Sequence, residues 1–229
     1  MRLLAIAALA LLLAGCAAVQ GGQGGKGFRL ENLAKSDIDF VVDGTIRAQE
    51  SHLRELTIKL YRRNPAELRK HNTSLDKRLE QLFARPGELL FDELQGKQSV
   101  EAMLLGFDPA YRGDRVFAVM AGLVDMIRRS YGYKQEFFFL DELDQQKLYN
   151  SARNIEVLVW RFGHRRDAGG EPYLLTNEVS GEVSNLSFER LFGKMIALQD
   201  MLAQITADKT NRSITKVIQN TATMVFLPI

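Results

Sequence analysis

Three histidines are the side chains best suited to bind a transition metal or to transfer protons near neutral pH. They are His52, His71 and His164, and each lies in a different segment of the sequence. A helix presents two imidazoles to one zinc ion when they stand about four positions apart, and none of the three has such a neighbour. We therefore predict no metal site and expect all three at the surface or at helix ends.

The acidic run D-E-L-D at 141–144 is a second candidate, because clustered carboxylates can bind calcium. It lacks the glycine turn and the distal bidentate glutamate of a calcium loop. Acidic residues at the start of a helix complement the helix dipole, and this explains the run without a ligand. We expect it to begin a helix, at Asp141 or at Asp144.

Asp125 interrupts the most apolar stretch of the chain and resembles a buried catalytic acid at first sight. On a helical wheel, however, it falls on the same arc as Arg128 and Arg129, at i+3 and i+4. We therefore expect a solvated ion-pair edge there. No serine lies in a G-x-S-x-G context and no glycine-rich phosphate loop is present, so we predict no catalytic residue, no cofactor and no enzymatic activity.

An aromatic segment at 131–140 is the strongest candidate for binding. Its aromatic residues are Tyr131, Tyr133, Phe137, Phe138 and Phe139. The four consecutive apolar residues 137–140 cannot all face one side of a helix or strand. We predict that the segment packs as a loop that closes the end of a helical bundle. The alternative is a docking patch for a partner, because exposed aromatic side chains mark interfaces.

Helical periodicity dominates the remaining sequence. Ser36 and Asp39 predict a capping box, after which an apolar stripe with one glutamine predicts a helix to about Arg63. Similar stripes predict helices over 65–71, 74–82, 99–106, 116–127, 144–162 and 187–205, and a last one from Asn211 or Ser213 onward. Ala118 and Gly122 predict close approach of a neighbouring helix. Segments 137–140 and 178–183 are the only weak strand candidates, so we predict an all-α bundle of about seven to nine helices without a substantial β-sheet.

One short stretch is similar to the junction between tetratricopeptide units, where an apolar-aromatic helix end meets a turn with Asn or Asp and Pro. It covers nine residues, from Leu60 to Leu68. No second copy occurs at the 34-residue spacing of that repeat. Helix-turn-helix packing within a general bundle is the favoured interpretation.

The first sixteen residues have the features of a targeting signal. Arg2 precedes twelve apolar residues, from Leu3 to Ala14, which are fewer than the roughly 20 that span a bilayer. Small residues then lead to Cys16, the only cysteine, in the sequence L-A-G-C. This resembles the lipobox of bacterial lipoproteins. The resemblance implies a signal peptide at 1–15 and a lipidated Cys16 as the first mature residue.

The resemblance also implies where the mature protein resides. Ala17 follows the cysteine, whereas Asp at that position retains enterobacterial lipoproteins in the inner membrane, so the expected location is the periplasmic face of the outer membrane. Residues 16–28 form a Gly-rich tether with a root-mean-square reach of roughly 20 Å. The body then occupies 29–229, with a candidate sub-boundary near 168–172.

Composition limits the partners of the body. Cleavage of the signal peptide would remove one charged residue, Arg2. The mature chain would then contain 29 of the 30 Lys and Arg residues and all 28 acidic residues. This balance gives no electrostatic case for nucleic-acid binding. We expect a membrane contact through the lipid anchor and a protein partner in the envelope, with binding or scaffolding as the role. The alternatives are a helical carrier of a lipid or other hydrophobic ligand and, less expected, an enzyme with an unrecognised site.

Overall fold

The first helix, α1, runs from Asp37 to Arg63 and extends over roughly 40 Å. The computed structural model describes residues 36–138, 141–180, 183–217 and 224–229. The predictions for the leader, Cys16 and the tether therefore lie outside the described residues, as does that for Phe139. The Ser36 hydroxyl accepts from the backbone N–H of Asp39, and the Asp39 carboxylate accepts from the backbone N–H of Ser36. The predicted capping box is thus confirmed.

Six further α-helices follow in the described part of the chain, which confirms an all-α bundle of seven helices. They are α2 (Ala66–Arg69), α3 (Leu75–Phe83), α4 (Ser99–Leu105), α5 (Arg115–Ser130), α6 (Gln145–His164) and α7 (Ser187–Thr210). A 3₁₀ turn spans Asp92–Leu94. Two three-residue strands, β1 (Glu178–Ser180) and β2 (Val183–Asn185), form an antiparallel hairpin in which Val179 pairs with Ser184.

Helix α5 is the centre of the core, as its apolar sequence predicts. Almost every residue from Arg115 to Arg128 is buried, because α1, α3, α4 and α6 all contact this helix. Gly122 supplies the close approach that its small size predicts, since its backbone faces the first turn of α4 near Ser99 and Met103. No helix among the described residues is long and apolar enough to cross a membrane.

Helix α7 packs antiparallel to both α1 and α6. Along α6, Phe162 lies near Phe192 and Arg153 bonds to Asp200. Along α1, the glutamine in the apolar stripe, Gln49, donates from Nε2 to a carbonyl oxygen of α7 at 3.0 Å. This buried contact explains a polar residue at a core position. Residues 35–229 form one compact unit.

The predicted helix after Asn211 is wrong for the described residues, because 212–217 are irregular and Ile218 lies outside them. Side-chain amides of α6 satisfy the backbone instead. Gln146 accepts from the N–H of Thr215 at 2.8 Å and donates to its carbonyl at 3.1 Å. Asn154 makes the same pair of bonds with Leu227, at 2.6 and 2.9 Å. These tertiary bonds outweigh a weak helical pattern that is rich in β-branched residues.

Candidate functional site

The aromatic segment begins inside the core. Tyr131 is 3% exposed, and its hydroxyl donates to Gln199 Oε1 at 2.6 Å. Gln199 Nε2 in turn donates to the Ser151 hydroxyl at 2.8 Å. Burial raises the pKa of Tyr131 above its ordinary value. Tyr131 therefore joins α5 to α6 and α7 through a buried polar network and is not available to a partner.

The remaining aromatic residues of the segment differ in burial. Phe137 is 1% exposed, and its backbone N–H donates to Asp43 Oδ1 of α1 at 2.8 Å. Tyr133 and Phe138 are half-buried, and the backbone N–H of Phe138 donates to Asp141 Oδ2 at 2.9 Å. Carboxylates from two elements thus hold the loop against the end of the bundle.

An open cleft of about 360 Å³ lies beside Phe137, within the size range of small-ligand sites. We call it the end cleft. Its walls are the first turns of α1, the loop after the aromatic segment and the last turns of α7, namely Ile38, Asp39, Val42, Phe137, Asp141, Glu142, Leu143, Thr206, Lys209, Thr210 and Arg212. The structure therefore brings one predicted binding residue, Phe137, together with the predicted acidic run.

Opposite charges face each other across the end cleft. Asp39 is committed to the α1 cap and lies 3.8 Å from Lys209 Nζ of α7. Asp141 forms an ion pair with Lys134. The hydrogen bonds from Lys134 and from the backbone N–H of Phe138 hold the pKa of Asp141 below its ordinary value. Glu142 and Arg212 remain exposed at the rim, so the cleft offers both signs of charge around an apolar floor.

Asp125 contradicts the expected solvated edge, because it is fully buried. Its Oδ1 accepts from the backbone N–H of Leu89 at 3.1 Å and from the Tyr133 hydroxyl at 3.2 Å. Arg129 Nη2 lies 3.9 Å from the other oxygen. Desolvation raises the pKa of Asp125. The helical wheel gave the correct neighbour, Arg129, but the loop before α4 and the aromatic segment fold over this face of α5.

A buried ionic cluster joins α1, α3 and α5, and no sequence motif pointed to it. Arg78 Nε donates to Asp114 Oδ2 at 3.1 Å, and its two Nη atoms donate to Glu93 at 2.6 and 2.9 Å. The Tyr61 hydroxyl also donates to Asp114, at 2.8 Å. Burial is the main cause of the raised pKa values of both Asp114 and Tyr61. Its geometry is that of a structural clamp, because it ties α1, α3 and α5 together inside the fold.

The three histidines remain apart in the structure. His52 is half-buried on α1, and burial lowers its pKa. His71 lies 3.6 Å from Glu93, and His164 contacts the carbonyl oxygen of Trp160 at the end of α6. Among the described residues no group of three or more His, Cys, Asp or Glu side chains could hold a metal ion.

The chain matches no protein-family model, no curated protein and no solved structure. Its function must therefore be inferred from its own residues. Sequence analysis named Phe137 as a binding candidate and expected the acidic run only to begin a helix, and both lie at one wall of the end cleft. It missed the opposite wall on α7, because Thr206 and Lys209 acquire their place only through the antiparallel packing of α7 on α1.

Replacing Phe137 is expected to reveal how far the aromatic segment supports the fold. Phe137→Ala should lower the free energy of unfolding by about 3–5 kcal/mol, because the ring is only 1% exposed and packs in the core. Phe138→Ala is the matched control and should cost less, since Phe138 is half-buried. Urea denaturation of both variants measures the difference. Equal small losses in the two variants would contradict the core role of Phe137.

Proposed function

We propose that this chain is a lipoprotein held at the periplasmic face of the bacterial outer membrane, where its helical body binds an envelope partner without catalysing a reaction. The observation that carries the proposal is the L-A-G-C sequence ending in Cys16, the only cysteine, directly after a short apolar run. Two or more acyl chains on one residue give stable membrane anchoring. The Gly-rich residues that follow act as a flexible tether.

The end cleft supports a binding role for the body. It lies at the end of the bundle where Ser36 begins α1. Its exposed charges, Glu142 and Arg212, accompany apolar lining residues of which Ile38 and Leu143 are half-buried. Apolar contact at the centre with polar groups at the rim is the usual composition of protein interfaces. A peptide segment of the partner fits this cleft best.

A carrier of a hydrophobic ligand is the second candidate, and the apolar side chains of the end cleft favour it. An acyl chain in the cleft would remove water from the ammonium of Lys209, whose side chain is about one-third exposed, and desolvating a charge costs free energy. The protein should therefore return no stoichiometric lipid when it is purified, delipidated with solvent and the extract analysed by mass spectrometry. Recovery of one lipid per chain would favour the carrier.

Loss of the cysteine is expected to release the protein from the membrane. Cys16→Ser removes the thiol that would be acylated, so the variant should leave the membrane fraction and keep its leader uncut. Fractionation with immunoblotting measures the first effect, and intact-mass analysis measures the second. Ala17→Ser keeps the thiol and is the matched control, expected to stay with the membrane. Sedimentation of Cys16→Ser to the same extent as the wild type would refute the anchor.

The docking role of the end cleft has its own test, which does not depend on the anchor. Exchanging charges with Glu142→Lys and Arg212→Glu together preserves the net charge and should abolish the partner cross-links of the membrane-bound wild type. Glu55→Lys with Arg190→Glu makes the same exchange at exposed positions outside the cleft and should preserve them. Equal cross-linking by both double variants would place the docking surface elsewhere.

A further inference from the structure

A second cleft, of about 500 Å³, is lined by residues different from those of the end cleft. We call it the tail groove. One wall is the start of α4 and the turn before it, the other is the C-terminal tetrapeptide, and Arg129 of α5 lies between them. The lining residues are Gly96, Gln98, Ser99, Val100, Glu101, Arg129, Phe226, Leu227, Pro228 and Ile229. The volume lies within the range of small-ligand sites.

The tetrapeptide wall is held in place through its backbone. Asn154 pairs with both the N–H and the carbonyl of Leu227, and Asn150 Nδ2 donates to the carbonyl of Pro228 at 2.8 Å. Because these bonds occupy the main chain, the apolar side chains of the wall are left to line the groove. The wall is therefore preformed by α6 and does not depend on a ligand for its position.

Arg129 is held in a fixed orientation at the groove. Its Nε donates to the Tyr133 hydroxyl at 3.0 Å, and that hydroxyl donates to the fully buried Asp125 at 3.2 Å. Nη2 lies 3.9 Å from Asp125 Oδ2, beyond hydrogen-bond distance. The side chain is one-third exposed, and its Nη groups make no hydrogen bond to the described residues. A planar guanidinium fixed on one edge with the other edge free is preorganised to bind a carboxylate through two hydrogen bonds.

Ser99 adds an independent sign of a polar site. It lines the groove, is 7% exposed, and its hydroxyl has no hydrogen-bond partner among the described residues. Its φ of +49° lies in the left-handed region, which favours glycine over residues with a side chain. Buried unsatisfied groups and strained backbone are both costly, and they concentrate at ligand sites.

We propose that the tail groove binds a short peptide through its free C-terminal carboxylate. The carboxylate pairs with the free edge of Arg129, and the apolar part of the peptide packs on Phe226 and Leu227. Glu101 is the one acidic residue that lines the groove, and it provides an acceptor for the ammonium or an amide N–H of the same peptide. The presence of one cation and one anion matches a zwitterionic ligand better than a polyanion.

The test uses the full-length protein and two forms of one tripeptide, alanyl-leucyl-alanine with a free carboxylate and the same peptide with a C-terminal amide. We expect saturable binding of the acid by calorimetry and at least tenfold weaker binding of the amide. Arg129→Gln should weaken acid binding by between about ten- and a hundredfold, because a charge-assisted bidentate contact is lost. Arg112→Gln removes the same charge at an exposed position and should leave binding unchanged.

Two results would overturn the proposal. The first is equal binding of the acid and the amide, or no saturable binding of the acid up to about 10 mM. The second is equal affinity in Arg129→Gln and Arg112→Gln. The comparison of acid with amide requires no substitution, so it remains decisive even where Arg129→Gln fails to fold. Arg129→Lys retains the charge without the planar fork and should bind with intermediate affinity.

Discussion

Gly122→Ala is expected to lower the free energy of unfolding by about 3 kcal/mol, although alanine is the better helix former. A Cβ at this position would lie 2.4 Å from the carbonyl oxygen of Ser99 and 2.6 Å from the backbone nitrogen of Met103. Both contacts are backbone atoms of α4, which cannot move aside as a flexible side chain would. The substitution must therefore push α4 away from α5 and open the core between them.

Gly193→Ala is the matched control, since Gly193 also lies inside a helix, α7, but a Cβ there would meet nothing within 4 Å. Only the higher helix propensity of alanine then matters, so the free energy of unfolding should rise by about 0.5–1 kcal/mol. Both variants replace a helical glycine by alanine, but only at Gly122 does a neighbouring helix lie in contact. Opposite changes in the free energy of unfolding, measured by urea denaturation, would therefore report the contact between α4 and α5. A stabilised Gly122→Ala protein would show that α4 does not pack as closely as described.

Local chemistry was sufficient to predict the seven helices that the described residues form. Ser36, Ser74, Asp114 and Asp144 all accept hydrogen bonds from backbone N–H groups in the first turns that follow them, as capping residues should. These interactions span at most four residues, so the sequence pattern contains all the information that is needed. The apolar run at 116–127 also explains why α5 is the buried centre, because its nearly continuous apolar residues leave no polar face.

Contacts between distant segments could not be predicted. Asp125 was assigned to a solvated edge because only its own helix was considered, while its burial depends on Leu89 and Tyr133 from two loops. The C-terminal segment failed as a helix for a similar reason, since amides of α6 bind its backbone some 70 positions away. Side-chain amides on a helix face give no sequence pattern that distinguishes such a role from simple solvation.

The candidate sites divide in the same way. The composition of the aromatic segment indicated five candidates, Tyr131, Tyr133, Phe137, Phe138 and Phe139, and of those that the structure describes Phe137 lines the end cleft. The tail groove was not foreseen, because Ser99, Arg129 and Phe226 come from three separate elements and none lies in a recognisable motif. The sequence indicates the chemistry of each residue. It does not indicate the antiparallel helix packing or the path of the C-terminal segment, and these bring the residues together.

Removal of Arg78 is expected to have a larger effect than the loss of any surface ion pair. Arg78 is 2% exposed, and it joins Asp114 to Glu93 while its guanidinium lies 3.9 Å from the centre of the Phe117 ring. Arg78→Met keeps the apolar volume but leaves the carboxylate of Asp114 buried without its cation. The expected loss is about 3–5 kcal/mol of unfolding free energy, measured by urea denaturation at neutral pH.

Arg54→Met is the matched control, since its guanidinium also lies over a ring, that of Phe83 at 4.5 Å, but from an exposed position. Arg54→Met should lower the free energy of unfolding by less than about 1 kcal/mol. Adding Asp114→Asn to Arg78→Met should recover part of the loss, because the asparagine still caps α5 and carries no charge.

The pH dependence separates lost charge pairing from lost packing. Burial already raises the pKa of Asp114, and removing Arg78 should raise it further. A carboxyl group with a raised folded-state pKa favours folding most when it is protonated, so its contribution falls as pH rises through that pKa. The deficit of Arg78→Met should therefore be smaller at pH near 4 than at neutral pH. A deficit that is the same at both pH values would mean that packing around Phe117, and not the buried ion pair, is what Arg78 provides.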